Sequence, residues 1–177
     1  MSDIESKNIV LDDDMESPEI SMNEKVIKLS RVAKVVKGGR KFSFAALVVV
    51  GDKAGQVGIG FGKANEVADA ISKAGQNARK KMFKVVLTKK KTIPHEVIGR
   101  YKSSRVIMRP AAPGTGVIAG GAVRSLMDVV GVNDILAKAL GSKNQLNVTK
   151  AALNGLLSLK NIKDVANKRG KKMSELF

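Results

Sequence analysis

From residue 28 onward the chain alternates polar and apolar side chains in a pattern that predicts β-strands. The stretch "KLSRVAKVV" alternates, "KGGRK" supplies turn residues, and "FSFAALVVV" resumes as a buried strand. After a second turn, "GDKAG", the stretch "QVGIGFG" has glycine at every second position from Gly58. One face of this third strand therefore has no side chains, and we expect another backbone to approach it closely.

The hydrophobic period then changes from two residues to three or four, which predicts an amphipathic helix. Asn65 is the expected N-cap of this helix. Its apolar face is formed by Val67, Ala70, Ile71, Ala74, Ala78 and Met82, and its polar face by Lys73, Arg79, Lys80, Lys81 and Lys84. Together these patterns predict a three-stranded antiparallel sheet covered by one helix.

Beyond "TKKKTIP" the pattern predicts a second, α/β unit. We expect strands at "HEVIGRY", "SRVIMRP" and "VNDILAKAL", a glycine-rich loop at "PAAPGTGVIAGG", and two helices whose apolar faces are Val123, Leu126, Met127 and Val130 in the first and Val148, Ala152, Leu156 and Leu159 in the second. The fold class is therefore α+β. The expected divisions are a flexible acidic tail (1–24), the first domain (25–87), a basic linker (88–93), the α/β domain (94–165) and a basic tail (166–177).

Charge narrows the class of partner. The chain of 177 residues has a formal net charge of +16, but the segment 1–24 holds eight acids and one base. The remaining 31 basic and 8 acidic side chains give the segment 25–177 a net charge of +23. Such a density of charge repels itself and is typical of a protein whose charge a polyanion neutralises. Nucleic acid is the first candidate. An anionic membrane surface is the second, but no predicted helix combines a bulky apolar face with a basic one, so we expect no membrane partner.

Other features of the composition indicate the cellular compartment and the kind of nucleic acid. The sequence has no cysteine, which favours a reducing compartment, and no apolar run long enough to span a bilayer. We therefore expect a cytoplasmic protein. Five Phe, one Tyr and no Trp argue against a stacking platform for single strands and favour recognition of structured RNA or DNA through its backbone and shape.

Catalytic and metal sites have little support in the sequence. A phosphate-binding P-loop would need glycine five residues before Gly62 and Ser or Thr after Lys63, where the chain has Val57 and Ala64. His95 is the only histidine, and neither cysteine nor a cluster of carboxylates accompanies it. We expect no catalytic residue, no metal, no cofactor and no small-molecule substrate.

One glycine-rich loop remains as an alternative. In "GTGVIAGG", Gly114, Gly116 and Ala119 match a dinucleotide-binding fingerprint, and Asp134 follows at about the distance expected of a ribose-binding acid. However, Asp134 precedes its strand where such an acid should follow it, and too little chain remains to complete a doubly wound sheet. A tight loop leading into a closely packed helix is the preferred interpretation.

The basic residues form a more consistent set. Lysines scattered on a helix are usually only a solvated face. By contrast, four cations concentrate at one hairpin, Lys63 precedes a helix N-terminus where the backbone dipole also attracts phosphate, and arginines recur along the strands of the second domain. A small sheet with one helix, a basic hairpin tip and a lysine at the helix start is the arrangement by which double-stranded RNA-binding domains contact phosphates.

Three stretches carry a specific resemblance. They are "RVAKVVKGGRKFSFAALVVVGDKAGQVGIGFGKANEV", "SRVIMRPAAPGTGVIAGGAVRSLMDVVGVNDILAKALGS" and "KRGKK". In this order, from about residue 25 to 172, the chain resembles the bacterial small-subunit (30S) ribosomal protein five family. The resemblance implies a first domain of double-stranded RNA-binding type and a second domain with a left-handed βαβ crossover. The long acidic tail and the lysines at 89–91 depart from the family pattern.

The resemblance also implies a function. It implies a protein of the cytoplasmic small ribosomal subunit that binds 16S ribosomal RNA at the head-body junction, contacts small-subunit proteins four and eight, and affects translational accuracy. Its hairpin corresponds to the family loop that reaches toward the head RNA near the spectinomycin site, and Gly116 and Arg124 to the region facing protein four. The residues expected to contact RNA are Arg31, Lys34, Lys37, Gly38, Gly39, Arg40, Lys41, Phe42, Lys63, Arg100, Arg105 and Arg109. A free-standing regulator of structured RNA and a small nucleotide-dependent enzyme using "GTGVIA" are the alternatives.

Overall fold

A computed structural model describes residues 22–170 of the chain. Its elements in chain order are β1 (Asn23–Val36), β2 (Gly39–Gly51), β3 (Gln56–Ala64), α1 (Val67–Arg79), β4 (Met82–Lys84), β5 (Val97–Tyr101), β6 (Ser104–Pro110), β7 (Val117–Ile118), α2 (Gly121–Val130), β8 (Ile135–Gly141), α3 (Gln145–Leu157) and α4 (Ile162–Arg169). The α+β class expected from the sequence is confirmed, with an antiparallel sheet and helix followed by a mixed sheet with helices.

The first sheet is antiparallel throughout, in the order β1-β2-β3-β4, and α1 packs on one of its faces. The backbone approach expected at the glycine-rich strand is present. A Cβ on Gly60 would fall well inside contact distance of the Ala74 carbonyl oxygen, and Gly58 and Gly62 face α1 in the same way. The missing side chains therefore let the helix backbone rest directly on β3.

Two details of this domain differ from the sequence-based expectation. The helix ends at Arg79, and Met82, expected on its apolar face, instead begins the short strand β4 and pairs with Gly58. The sheet thus has a fourth strand, which is short. The N-cap is Glu66, not Asn65, because the Asn65 side chain is turned toward β2, where its Oδ1 accepts a hydrogen bond from the Ser43 hydroxyl at 3.3 Å.

The second sheet has the order β5-β6-β8-β7, with β7 parallel to β8 and the other pairs antiparallel. Helix α2 connects the two parallel strands, so β7, α2 and β8 form a βαβ unit. The left-handedness of that crossover stays a prediction. Helix α3 packs closely on the inner face of the sheet, since a Cβ on Gly99 would collide with the Ala151 carbonyl oxygen.

Secondary structure crosses two of the expected domain boundaries. Strand β1 begins inside the range assigned to the acidic tail, and α4, which the sequence pattern does not predict, runs through the boundary at 165/166. Within the expected linker, Ile93 is buried in the core. The division into domains stays a prediction, and the tails at 1–21 and 171–177 lie outside the described residues. No helix within residues 22–170 is long and apolar enough to cross a membrane.

The two sheets share one hydrophobic core. Val49 and Val57, on the face of the first sheet opposite α1, pack in the same cluster as Val129 of α2. The turn between β2 and β3 also satisfies the end of α2. The backbone N–H groups of Lys53 and Gly55 donate to the carbonyls of Val129 and Val130, both at 3.0 Å. Contacts between backbones therefore fix the junction between the two units.

Candidate nucleic-acid interface

The first two strands extend well beyond the rest of their sheet. Strand β3 pairs with β2 only from Phe44 to Gly51, whereas β1 and β2 stay paired to the turn. Residues 31–43 therefore form a two-stranded projection, which we call the arm. Its β1 portion, from Arg31 to Val36, spans about 20 Å at the usual rise of a strand. No strand of the described part of the chain pairs with the arm as a third strand, and most of the arm's residues are exposed.

All the charge on the arm is positive. Its five charged side chains are Arg31, Lys34, Lys37, Arg40 and Lys41. The register places Lys34 directly opposite Lys41 across the two strands, an arrangement in which like charges destabilise a sheet. The ion pairs found among residues 22–170 involve none of these five side chains. The arm therefore concentrates positive charge that the described part of the protein does not neutralise.

The turn at the arm tip explains its glycine pair. Val36 pairs with Gly39, so Lys37 and Gly38 are the two central turn residues. Gly38 has φ +95° and Lys37 has no positive φ, which is the pattern of a type II turn and not of type I′. Gly39 follows with φ +144°. Both glycines therefore adopt a backbone conformation that other residues resist. A Cβ at either glycine would meet no atom within 4 Å, so the tip is open to a partner.

Arg31 and Phe42 form a stacked pair on the arm. The guanidinium carbon Cζ of Arg31 lies 3.7 Å from the centroid of the Phe42 ring. This is a close cation–π contact. Phe42 nevertheless stays 49% exposed. The sequence suggests both residues as RNA contacts but gives no reason to expect them to touch, because the register that brings them together is a property of the folded hairpin.

Lys63 is not where the sequence suggests. It lies inside β3, paired with Ala45, on the sheet face opposite α1. The start of α1 instead has Glu66 at the N-cap and Asp69 in the first turn. These carboxylates already interact favourably with the positive end of the helix dipole. A phosphate at that helix end would meet negative charge. Lys63 stays a predicted RNA contact as an exposed cation of the open sheet face.

The three arginines of the second domain share the outer face of its sheet but differ in their surroundings. Arg100 and Arg105 lie directly opposite each other on β5 and β6. Arg109 forms an ion pair with Glu96, with 3.0 Å between its Nε and a carboxylate oxygen. Arg100 and Arg105 are therefore the better placed to bind an anion, and all three stay predictions.

Sequence reasoning missed the apolar side chains of this outer face. Ile98, Ile118, Leu136 and Leu140 are all exposed there, beside a groove of about 320 Å³ that Ile107, Arg109 and Lys138 help to line. The alternation in "ILAKAL" was the available signal, because in a one-sided strand it sends Leu136, Lys138 and Leu140 to the same side. A mixed apolar and cationic face of this kind is typical of a contact surface.

The glycine-rich loop before α2 is held by a side chain of the protein itself. The buried carboxylate of Asp134 accepts a hydrogen bond from the Gly116 N–H at 2.9 Å. The acid that a dinucleotide-binding interpretation would assign to a ribose thus holds the loop itself. Gly114 and Gly116 both have positive φ, and Arg124 is exposed on the first turns of α2. The structure therefore favours the tight-loop interpretation over a cofactor site.

His95 is likewise engaged within the protein. Its Nδ1 contacts the Glu96 carbonyl oxygen at 2.8 Å, and its Nε2 accepts a hydrogen bond from the Lys160 N–H at 3.1 Å. Both ring nitrogens thus have protein partners and a structural role. Within residues 22–170 no group of three or more His, Cys, Asp or Glu is placed to hold a metal ion.

Comparison with known proteins agrees with this geometry. The family model described as "Ribosomal protein S5, N-terminal domain" matches residues 22–86, and "Ribosomal protein S5, C-terminal domain" matches residues 99–169. These two domains place the chain in the class of ribosomal proteins.

Two relatives called "Small ribosomal subunit protein uS5" are similar over almost their whole length. The one from Syntrophobacter fumaroxidans is 52% identical over 162 residues, which cover 92% of this chain and 97% of the relative. The one from Lawsonia intracellularis is 53% identical over 157 residues, which cover 89% and 96%. The chain therefore belongs to the ribosomal protein S5 family, which is a family of structural proteins and not of enzymes.

Proposed function

We propose that the protein is a structural component of the small ribosomal subunit, in the bacterial cytoplasm, and that it binds 16S ribosomal RNA where the head of the subunit meets its body. The names of the two relatives support the assembly. The observation that carries RNA binding is the arm, a paired two-stranded projection with five cations and no acid.

The arm binds by neutralising phosphates. Each lysine or arginine that contacts a phosphate releases counterions, which makes association favourable and dependent on salt. The pairing of Lys34 with Lys41 fits this mechanism, because an anion between the two ammonium groups removes their repulsion. The bare glycine backbone at the tip lets RNA approach more closely than a side chain would permit. Such contacts position a protein on RNA without reading its sequence.

The second domain contacts neighbouring proteins in this proposal. The exposed Arg124 and the loop around Gly116 face small-subunit protein four, and protein eight is the other expected neighbour. The backbone contacts between the two domains make the molecule a rigid connection between the RNA of the head and the proteins of the body. A rigid connection at that position contributes to translational accuracy because it restricts how the two parts of the subunit move.

Sedimentation of the full-length protein with small subunits tests the assignment. Subunits lacking the protein are reconstituted with it, washed at moderate salt and sedimented. We expect stoichiometric co-migration with the particle. A free-standing regulator of RNA would wash off, and saturable binding of NAD or ATP by the isolated protein would support the enzyme alternative and oppose the proposal.

A further inference from the structure

The stacked pair Arg31 and Phe42 differs from the other features of the arm, because phosphate binding does not require an aromatic ring. Phe42 leaves about half of its surface in solvent although the guanidinium of Arg31 lies over its ring. The pair lies on the same arm face as Phe44, since residues two apart on a strand share a face. Phe44 packs against the core beneath α1, whereas Phe42 is not part of that cluster. The ring therefore projects beyond the part of the sheet that α1 covers.

The guanidinium holds the ring in a defined position. The Cζ atom of Arg31 is 3.7 Å from the ring centroid, so its planar group covers one side of the ring. Such a contact is attractive because the electron-rich ring face meets a cation. None of the ion pairs found among the described side chains involves Arg31. The guanidinium thus lies over one face of a half-exposed ring, whose exposed surface is both apolar and adjacent to positive charge.

A nucleotide has the matching chemistry. Its base is flat and apolar on both faces, and its phosphate is an anion close to that base. Arg40 lies two residues before Phe42 on the same arm face, a separation of about 7 Å along the strand. Unpaired bases of structured RNA commonly stack on aromatic rings and on arginine planes. A base paired within a duplex would not expose its face to the ring.

We propose that the Arg31–Phe42 pair is a binding site for one unpaired nucleobase, with Arg40 on the adjoining phosphate. This inference rests on the proposed function, because it gives the arm of an RNA-binding protein a second kind of contact. It also modifies an expectation from composition. The scarcity of aromatic residues excludes an extended stacking platform, but a single ring is enough for one base.

Two RNA probes separate this contact from phosphate binding. One is a 20-base-pair duplex, and the other is the same duplex with a single bulged 2-aminopurine, whose fluorescence is quenched when it stacks. The full-length protein, Phe42→Leu and Phe61→Leu are titrated into both. Phe61 is the matched control, because it is 54% exposed but lies on the opposite face of the sheet.

We expect Phe42→Leu to bind the bulged RNA about tenfold more weakly, to lose the fluorescence quenching, and to keep the wild-type salt dependence and duplex affinity. Phe61→Leu should behave as wild type. Arg31→Lys, which keeps the charge but not the plane, should also reduce quenching.

Three results would overturn the inference. Equal weakening of both RNAs by Phe42→Leu would mean that the ring only supports the arm. Unchanged quenching in Phe42→Leu would mean that no base stacks there, while salt-dependent binding of both RNAs would leave the proposed function intact. Failure of the wild-type protein to bind either RNA would contradict the proposed function as well.

Discussion

At the scale of single residues, the arm tip requires glycine at two positions because of their backbone conformation and not because space is short. Neither Gly38 nor Gly39 has an atom within 4 Å of the position a Cβ would occupy, yet both have positive φ. A β-branched residue at either position would therefore suffer strain without any collision. We expect the strain to be confined to the tip, since β3 pairs with β2 only from Phe44 onward and does not reach the tip.

We expect Gly38→Val to destabilise the turn locally by about 1–2 kcal/mol, because L-residues other than glycine resist positive φ. Hydrogen exchange of the arm amides should accelerate while global thermal unfolding stays unchanged. Gly38→Asn is the control, because asparagine is accepted at this position of a type II turn. The equivalent Asn at Gly39, with φ +144°, should not recover the wild-type exchange rate. A normal tip in Gly38→Val would contradict the turn geometry.

The contribution of a single phosphate contact to the proposed RNA binding can be measured at Arg40. Its side chain is exposed and forms no ion pair within residues 22–170. Removing one phosphate contact lowers the slope of log affinity against log salt concentration by about one unit.

We therefore expect Arg40→Ala to flatten the salt dependence of binding to 16S ribosomal RNA by about one unit, measured by filter binding over a range of salt concentrations. Arg124→Ala removes the same charge from the second domain and should leave the slope unchanged. If both variants had the wild-type slope, Arg40 would have no phosphate partner.

At the scale of elements, the contact between β3 and α1 leaves no room for one added atom on the strand. Gly58, Gly60 and Gly62 face the small side chains and carbonyls of α1. The two elements are closer than a helix and strand with ordinary side chains would be. A methyl group at the middle glycine would therefore collide with the α1 backbone at Ala74 and Ala78, and the helix would have to shift there.

We expect Gly60→Ala to lower the free energy of unfolding by about 2 kcal/mol, as overpacking in a dense core does. Urea denaturation followed by far-UV circular dichroism gives the value. Gly121→Ala is the matched control, because its Cβ would meet nothing within 4 Å and alanine is favoured in a helix. A neutral Gly60→Ala would mean that α1 does not rest on the strand backbone.

Elements and single contacts differ in how far the sequence predicts them. The alternate glycines of β3 predict a close backbone, because no other pattern leaves one strand face bare. Asn65 was wrong as the N-cap because its side chain bonds to Ser43, which depends on strand pairing. The stack of Arg31 on Phe42 and the opposition of Arg100 and Arg105 likewise depend on register. The local pattern of apolar residues reveals the hydrophobic period of each element. The pairing register between two strands is set only in the folded hairpin.

At the scale of the whole molecule, the two domains are joined through backbone groups that no side-chain pattern reveals. The β2–β3 turn donates its N–H groups to the last carbonyls of α2, and valines from both sheets share one core. We therefore expect the two domains to unfold in a single transition. Tyr101, the only tyrosine in a chain without tryptophan, reports on the second domain, and hydrogen exchange of β2 reports on the first.

Gly131 is the residue at which this coupling can be tested. It ends α2 with φ +90°, and a Cβ there would collide with the Lys53 carbonyl oxygen of the first domain. Gly170 ends α4 with φ +63°, and no atom of the described residues lies within 4 Å of its Cβ position. Alanine at either site incurs the strain of positive φ, but only at Gly131 does it also meet the other domain. Comparison of the two variants therefore isolates the domain contact.

We expect Gly131→Ala to lose about 2 kcal/mol more stability than Gly170→Ala, because the added methyl group overpacks the junction. Tyr101 fluorescence and the exchange of β2 should shift to lower urea together in Gly131→Ala, since Val49 and Val57 of the first domain pack in the same cluster as Val129 of the second. If only the fluorescence transition moved, the first domain would be stable by itself. The proposed rigid connection between ribosomal RNA and neighbouring proteins would then lose its physical basis.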